Sequence, residues 1–109
     1  MNLKFSNEKD HLILSICGEI DHRYSIRIRN EADKKIVTYP NKDFIIDLSD
    51  VTFMDSSGIG VIIGRYKLVT SFGSKVKIVS SNETLGKILE MSGIEKIIPV
   101  YKSLEEAVK

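Results

Sequence analysis

What the chain has little of narrows its function before any motif is read. It has one cysteine, Cys17, so no disulfide can form within it. A small fold without such staples is expected in the cytoplasm, where thiols stay reduced. Cys17 sits in an apolar run and is expected to be a buried small hydrophobe rather than a nucleophile. His11 and His22 are the only histidines, and with one cysteine they give no metal-ligand spacing. The net charge is +1, which excludes the strong global field that gathers nucleic acid or an anionic membrane. No apolar run approaches the roughly 20 residues of a membrane span, and the first residues carry no apolar signal segment. Low-complexity tracts, repeats and linkers are missing too. A single domain over residues 1–109 is therefore expected, with 42% hydrophobic content to build its core.

What is present is strand and helix in alternation. Residues 2–6 and 11–17 predict an antiparallel hairpin, since Leu12, Leu14 and Ile16 alternate with Ile13, Ser15 and Cys17. Tyr24, Ile28, Ala32 and Ile36 recur at four-residue spacing and predict a first helix with one inward stripe. Its remaining residues, among them Arg23, Arg27, Arg29, Lys34 and Lys35 with Glu31 and Asp33, read as a solvated face, or in the sharper reading a protein-binding face. Phe44, Ile45, Ile46 and Leu48 predict a central strand buried on both sides. Asp50 to Asp55 reads as a polar loop anchored by Phe53 and Met54. Ile59, Ile62, Ile63, Tyr66 and Val69 then predict the central helix, stopped at Gly73. Val76, Ile78 and Val79 make the next strand, and Ser80 with Glu83 has capping-box spacing before a third helix ending at Gly93. Ile97, Ile98 and Val100 predict a last strand, placed at an edge by Pro99. Ser103 and Glu106 repeat the capping box. The order is β-β-α-β-α-β-α-β-α: an α/β fold with a mixed, largely parallel sheet, an N-terminal antiparallel hairpin and packed helices.

In such a sheet, sites form beyond the carboxyl ends of the strands. Two segments meet there, Glu19 to Tyr24 and Ser49 to Ser57. Asp55 or Ser56 can cap the central helix, because a short side-chain oxygen accepts from a free first-turn N–H. Ser56 and Ser57 lie where such N–H groups converge, a place that favours a phosphate. Both readings stand on position alone: a cap, or a site that carries a phosphoryl group.

Other chemistries fit less well. Gly58-Ile59-Gly60-Val61-Ile62-Ile63 follows a strand and opens a helix, but Ile63 fails the last position of a dinucleotide fingerprint. Gly58, Gly60 and Gly64 are better read as a smooth helix face that lets a neighbouring backbone approach. Met54-Asp55-Ser56-Ser57-Gly58 lacks the leading glycine of a nucleophile elbow, and no base is paired with either serine, so no catalytic residue is assigned. Asp47 sits where a receiver-like phosphoacceptor would, yet Phe5-Ser6-Asn7-Glu8 does not supply the acidic pair that holds magnesium there. Asp47, Asp50 and Asp55 read instead as carboxylates that organise the loop.

The run Phe53-Met54-Asp55-Ser56-Ser57-Gly58-Ile59-Gly60-Val61-Ile62-Ile63-Gly64-Arg65-Tyr66-Lys67 resembles the STAS-domain anti-sigma factor antagonists, nearest to the sporulation branch of the sigma-F system. Gly18-Glu19-Ile20-Asp21-His22, Asp47-Leu48-Ser49-Asp50-Val51 and Met91-Ser92-Gly93-Ile94-Glu95-Lys96-Ile97-Ile98 extend the resemblance over essentially the whole chain. The resemblance implies a binding protein rather than an enzyme. It implies that Ser56 is phosphorylated by an anti-sigma factor serine kinase and restored by a PP2C-type phosphatase. Asp21, His22, Asp55, Ser56, Ser57 and Gly58 would then form the partner-contacting patch. No cofactor is implied for the chain itself, ATP and magnesium belonging to the kinase. No direct contact with nucleic acid or membrane is implied. A STAS module of another sigma-factor or stress pathway, or a nucleotide-binding STAS domain, is the alternative. One departure stands out: Tyr24-Ser25-Ile26-Arg27-Ile28-Arg29-Asn30 is richer in arginine and isoleucine than the family usually shows there.

Overall fold

In the computed structural model, which describes residues 2–109, five strands form one sheet in the order β1-β2-β3-β4-β5. The elements are β1 (Asn2–Asn7), β2 (His11–Ile20), α1 (His22–Thr38), β3 (Asp43–Met54), α2 (Ser56–Ser71), β4 (Val76–Val79), α3 (Glu83–Ser92), β5 (Val100–Tyr101) and α4 (Leu104–Ala107). A 3-10 turn, Ile94–Lys96, precedes β5. β1 pairs antiparallel with β2, and every later pairing is parallel. This is the order and the sheet that the periodicities predict, with β5 at the edge where Pro99 places it.

The parity of the strands divides the core. Leu12, Leu14 and Ile16 of β2, Phe44, Ile46 and Leu48 of β3, and Ile78 of β4 are buried in one cluster with the stripes of α1, α2 and α3. Ile13, Ile45 and Val79 face the other way and pack with Ala107, Tyr101 and Leu104. α4 has only four residues, so its cover stops there. Cys17 shares the parity of Ile13 but lies beyond that cover, and it is exposed. The expectation of a buried cysteine fails because the second layer is short.

Both central strands run further than their apolar cores suggest. β2 continues to Ile20 through register shifts around Gly18, whose φ of 111° only glycine adopts readily. That extension gives β3 a partner as far as Met54, so the polar segment from Asp50 is strand and not loop. Val51 and Met54 are buried within it, whereas Phe53, expected as an anchor, is 48% exposed.

The stripe of α1 is the expected one: Tyr24, Ile28, Ala32 and Ile36 are buried. The Tyr24 hydroxyl donates to the Asn2 carbonyl at 2.8 Å and the Cys17 carbonyl at 3.3 Å, tying α1 to the first hairpin. The stripe of α2 is rotated. Its buried residues are Gly58, Val61, Ile62, Arg65 and Val69, while Ile59, Ile63 and Tyr66 are only half-buried. The rotation follows from α2 packing against both the strands and α1. α2 ends as expected at Gly73, where φ is +84° and the Ser74 and Gly73 N–H groups close back onto the Val69 and Thr70 carbonyls.

Two capping boxes are corrected. Ser80 does not cap α3; it is buried, and Asn82 Oδ1 accepts from the Thr84 and Leu85 N–H groups at 2.8 and 3.2 Å. At α4 the forward half holds, with Ser103 Oγ accepting from the Glu106 N–H at 3.2 Å, but the Glu106 carboxylate accepts from the Lys102 N–H. The last strand begins at Val100, since Ile97 follows the 3-10 turn exposed and Ile98 turns into the core. No helix among the described residues is long and apolar enough to cross a membrane.

Candidate functional site

Parallel pairing builds the site. Ile20 of β2 lies opposite Met54 of β3, so the next residues, Asp21 and Asp55, leave the sheet side by side. The Asp55 N–H donates to the Ile20 carbonyl at 3.2 Å and holds the two exits together. Each aspartate then caps the helix that follows. Asp21 Oδ1 accepts from the Tyr24 N–H at 2.8 Å. Asp55 Oδ1 accepts from the Ser57 N–H at 2.9 Å and the Gly58 N–H at 3.4 Å. A carboxylate here satisfies orphan donors and meets the positive end of the helix dipole. α1 and α2 therefore start at neighbouring points and run alongside each other.

The two serines have different surroundings. Ser56 is the first residue of α2 and is exposed, and its hydroxyl has no hydrogen-bond partner among the described residues. Asp55, not Ser56, is the cap. Ser57 is half-buried, and its Oγ lies 3.4 Å from His22 Nδ1. His22, expected at a partner or in solvent with Ser56 as a possible neighbour, is exposed, and the serine it approaches is Ser57. Gly58 is buried, and a Cβ there would meet Met54 Cβ at 2.9 Å and Ile20 Cγ2 at 3.2 Å. It lets α2 start directly over the strand ends. Gly60 and Gly64 have nothing within 4 Å of such a Cβ, so the smooth-face reading holds within the chain only for Gly58. Asp47 Oδ1 is occupied by the Ser49 N–H and hydroxyl, an arrangement internal to β3.

Sequence reasoning missed Arg65. It belongs to the buried stripe, three residues after Ile62 and four after Val61, a spacing that could have flagged it. Its side chain is 9% exposed, and its Nε lies 2.8 Å from Asp33 Oδ1 on α1. The contact is ionic rather than an aligned hydrogen bond, and Nη1 is enclosed with no partner. Burial lowers the Arg65 pKa, Asp33 raises it, and Arg29 lowers it again. Arg65, Arg29, His22, Ser25, Ser57 and Gly60 border a groove of about 400 Å³ between α1 and α2. A larger cavity, about 700 Å³, surrounds His11, Asp43 and Lys75 at the opposite end of the strands and touches none of the expected site residues. No group of three metal-ligating side chains gathers among the described residues.

The model of the STAS domain matches residues 2–107. The chain belongs to the STAS domain family. Within that family it is 38% identical to the anti-sigma F factor antagonist of Paenibacillus polymyxa over 103 residues, covering 93% of this chain and 88% of the relative. It is 31% identical to the anti-sigma-B factor antagonist of Bacillus subtilis, covering 100% of this chain and 98% of the relative. The solved structure of the Bacillus cell fate determinant SpoIIAA in its phosphorylated form matches with a TM-score of 0.75 at 22% identity, covering 98% of this chain and 96% of that one. That likeness speaks to the fold. The chain therefore lies on the anti-sigma factor antagonist branch of the STAS family, whose members are regulatory binding proteins and not enzymes.

Proposed function

We propose that this protein acts in the cytoplasm as an anti-sigma factor antagonist controlled by phosphorylation of Ser56. In its unphosphorylated form it binds an anti-sigma factor serine kinase, and the sigma factor is released. The kinase transfers the γ-phosphoryl group of ATP to Ser56 Oγ, with magnesium and ADP staying on the kinase side and the hydroxyl proton leaving to a kinase base. A PP2C-type phosphatase restores the hydroxyl. The chain itself uses no cofactor. Sigma F is the favoured target because the sigma-F relative is the more identical of the two above; a sigma-B-type stress pathway is the second reading.

The observation that carries this reading is the exposure of Ser56 beside two occupied caps. The hydroxyl is open to an incoming active site, at the end of the sheet where the β2 and β3 chains exit into Asp21 and Asp55. Two first-turn amides that would otherwise receive a phosphate, those of Ser57 and Gly58, are already held by Asp55. A phosphoserine adds about −1.5 to −2 charges. Two like unit charges about 4 Å apart repel by about 1 kcal/mol in water but about 4 kcal/mol at an effective dielectric of about 20. The free protein tolerates the mark, whereas an interface that expels water does not. A difference of about 3 kcal/mol is about a hundredfold in affinity.

The test is intact-mass spectrometry after incubation with the cognate anti-sigma kinase, ATP and magnesium, wild type beside Ser56→Ala. One phosphate on the wild type and none on the variant is expected. Calorimetry is expected to show that Ser56→Asp binds the kinase at least tenfold more weakly and Ser56→Ala about as well as wild type. Phosphate on both proteins moves the site, and equal affinity of Ser56→Asp and wild type overturns the electrostatic account.

A further inference from the structure

We propose that the groove between α1 and α2 is an oxyanion site that takes a phosphate group, separate from the role proposed for Ser56. The floor is cationic and short of ligands. Arg65 is buried to nine-tenths of its side chain, its one carboxylate partner meets it out of line at Nε, and Nη1 has no partner. Arg29 lines the groove from the α1 wall, and His22 and the Ser57 hydroxyl stand together at one end. No acidic side chain lines it. The carboxylates nearby are engaged elsewhere: Asp33 lies against Arg65, and Asp21 and Asp55 are turned onto helix amides. The α2 wall is open, because Gly60 leaves free the space a side chain would fill. Donors thus come from two helices and the floor, which suits a tetrahedral oxyanion better than a planar carboxylate. The volume of about 400 Å³ accommodates such an anion with its nearest waters.

The phosphate can come from solution, or from the chain itself if Ser57 is phosphorylated, since Ser57 borders the groove. Both sources are resolved by titrating ¹⁵N-labelled protein with inorganic phosphate, against chloride at matched ionic strength. Saturable shifts at the Ser57 and Gly60 amides and the His22 ring are expected with phosphate alone. Arg29→Gln is expected to weaken the response at least fivefold and Arg65→Gln to abolish it. If Arg65→Gln does not fold, Arg29→Gln decides. Shifts that rise linearly, that chloride reproduces, or that Arg29→Gln leaves unchanged overturn the proposal, as does no shift at all. A semisynthetic chain with phosphoserine at position 57 then separates the sources. Groove resonances already displaced, with added phosphate no longer titrating, place the group there in cis; a retained response to added phosphate assigns the site to an anion from solution.

Discussion

Alanine at Gly58 and alanine at Gly60 are predicted to change stability in opposite directions. Glycine inside a helix costs about 1 kcal/mol relative to alanine, so each replacement starts with a gain of about 0.5–1 kcal/mol. At Gly60 nothing lies within 4 Å of the added methyl, and the gain stands. At Gly58 the methyl lands 2.9 Å from Met54 Cβ, 3.1 Å from Met54 Sδ and 3.2 Å from Ile20 Cγ2. The sulfur can swing away. Met54 Cβ cannot retreat without moving the end of β3, and Ile20 is fully buried. Overpacking of this kind costs about 1–3 kcal/mol. The net for Gly58→Ala is a loss of about 0.5–2 kcal/mol, and the two alanine variants differ by roughly 2 kcal/mol. In a domain of about 100 residues each kcal/mol moves Tm by about 4–8 °C. Urea unfolding followed by circular dichroism, with a thermal scan beside it, reads both variants against wild type. If Gly58→Ala is as stable as Gly60→Ala, the close approach of α2 to the strand ends is not what requires glycine there.

Three further outcomes are expected. Asp55→Ala loses two amide contacts at the start of α2 and should destabilise by about 1 kcal/mol in urea unfolding, whereas Asp55→Asn keeps most of the cap; equal losses in the two would refute the capping role. Burial raises the Tyr24 pKa above its usual 10.0. The folded state thus holds that proton more tightly than the unfolded chain, so this share of stability is complete below pH of about 10 and lost as pH rises through the folded value. Unfolding free energies from pH 8 to 11 should fall more steeply in wild type than in Tyr24→Phe, and parallel curves would sink the assignment. Asp33→Ala strands the Arg65 charge. Its cost should be about 1–2 kcal/mol, below the 3–5 kcal/mol of a fully buried pair because Asp33 is 39% exposed. Adding Arg65→Met should recover most of that loss, and no recovery in the double variant would show that Arg65 is not stranded.

The architecture was legible because its signals are local. The alternation from Leu12 to Cys17 marks β2, the nearly unbroken apolar run from Phe44 to Leu48 marks β3, the four-residue spacing from Tyr24 to Ile36 marks α1, and Gly73 and Gly93 mark two stops. The strand ends were not legible. Asp50 to Asp55 has loop composition, and only the extension of β2 to Ile20 supplies the partner that makes it strand as far as Met54. Arg65 and Cys17 fail for the same kind of reason, since burial depends on what a neighbouring element covers. α1 closes over Arg65, while the short α4 leaves Cys17 bare. At the site, a cap at Asp55 or Ser56 and the meeting of the Asp21 and Asp55 segments follow from sequence position, while the choice of Asp55 comes from the fold. The Ser57–His22 approach and the groove behind it do not, because they depend on how two helices lie side by side.

Asp55 holding the first amides of α2 has a consequence for timing. In the proposed switch, a phosphoryl group on Ser56 would find the Ser57 and Gly58 amides of its own helix already taken, and would stay at the surface, as open to removal as the hydroxyl is to addition. A mark that the fold does not shelter persists only as long as the erasing enzyme is slow or absent. In the switch proposed above, the lifetime of the off state would be set by encounter with the phosphatase, and the cell would tune it through that protein's abundance without any change in this chain.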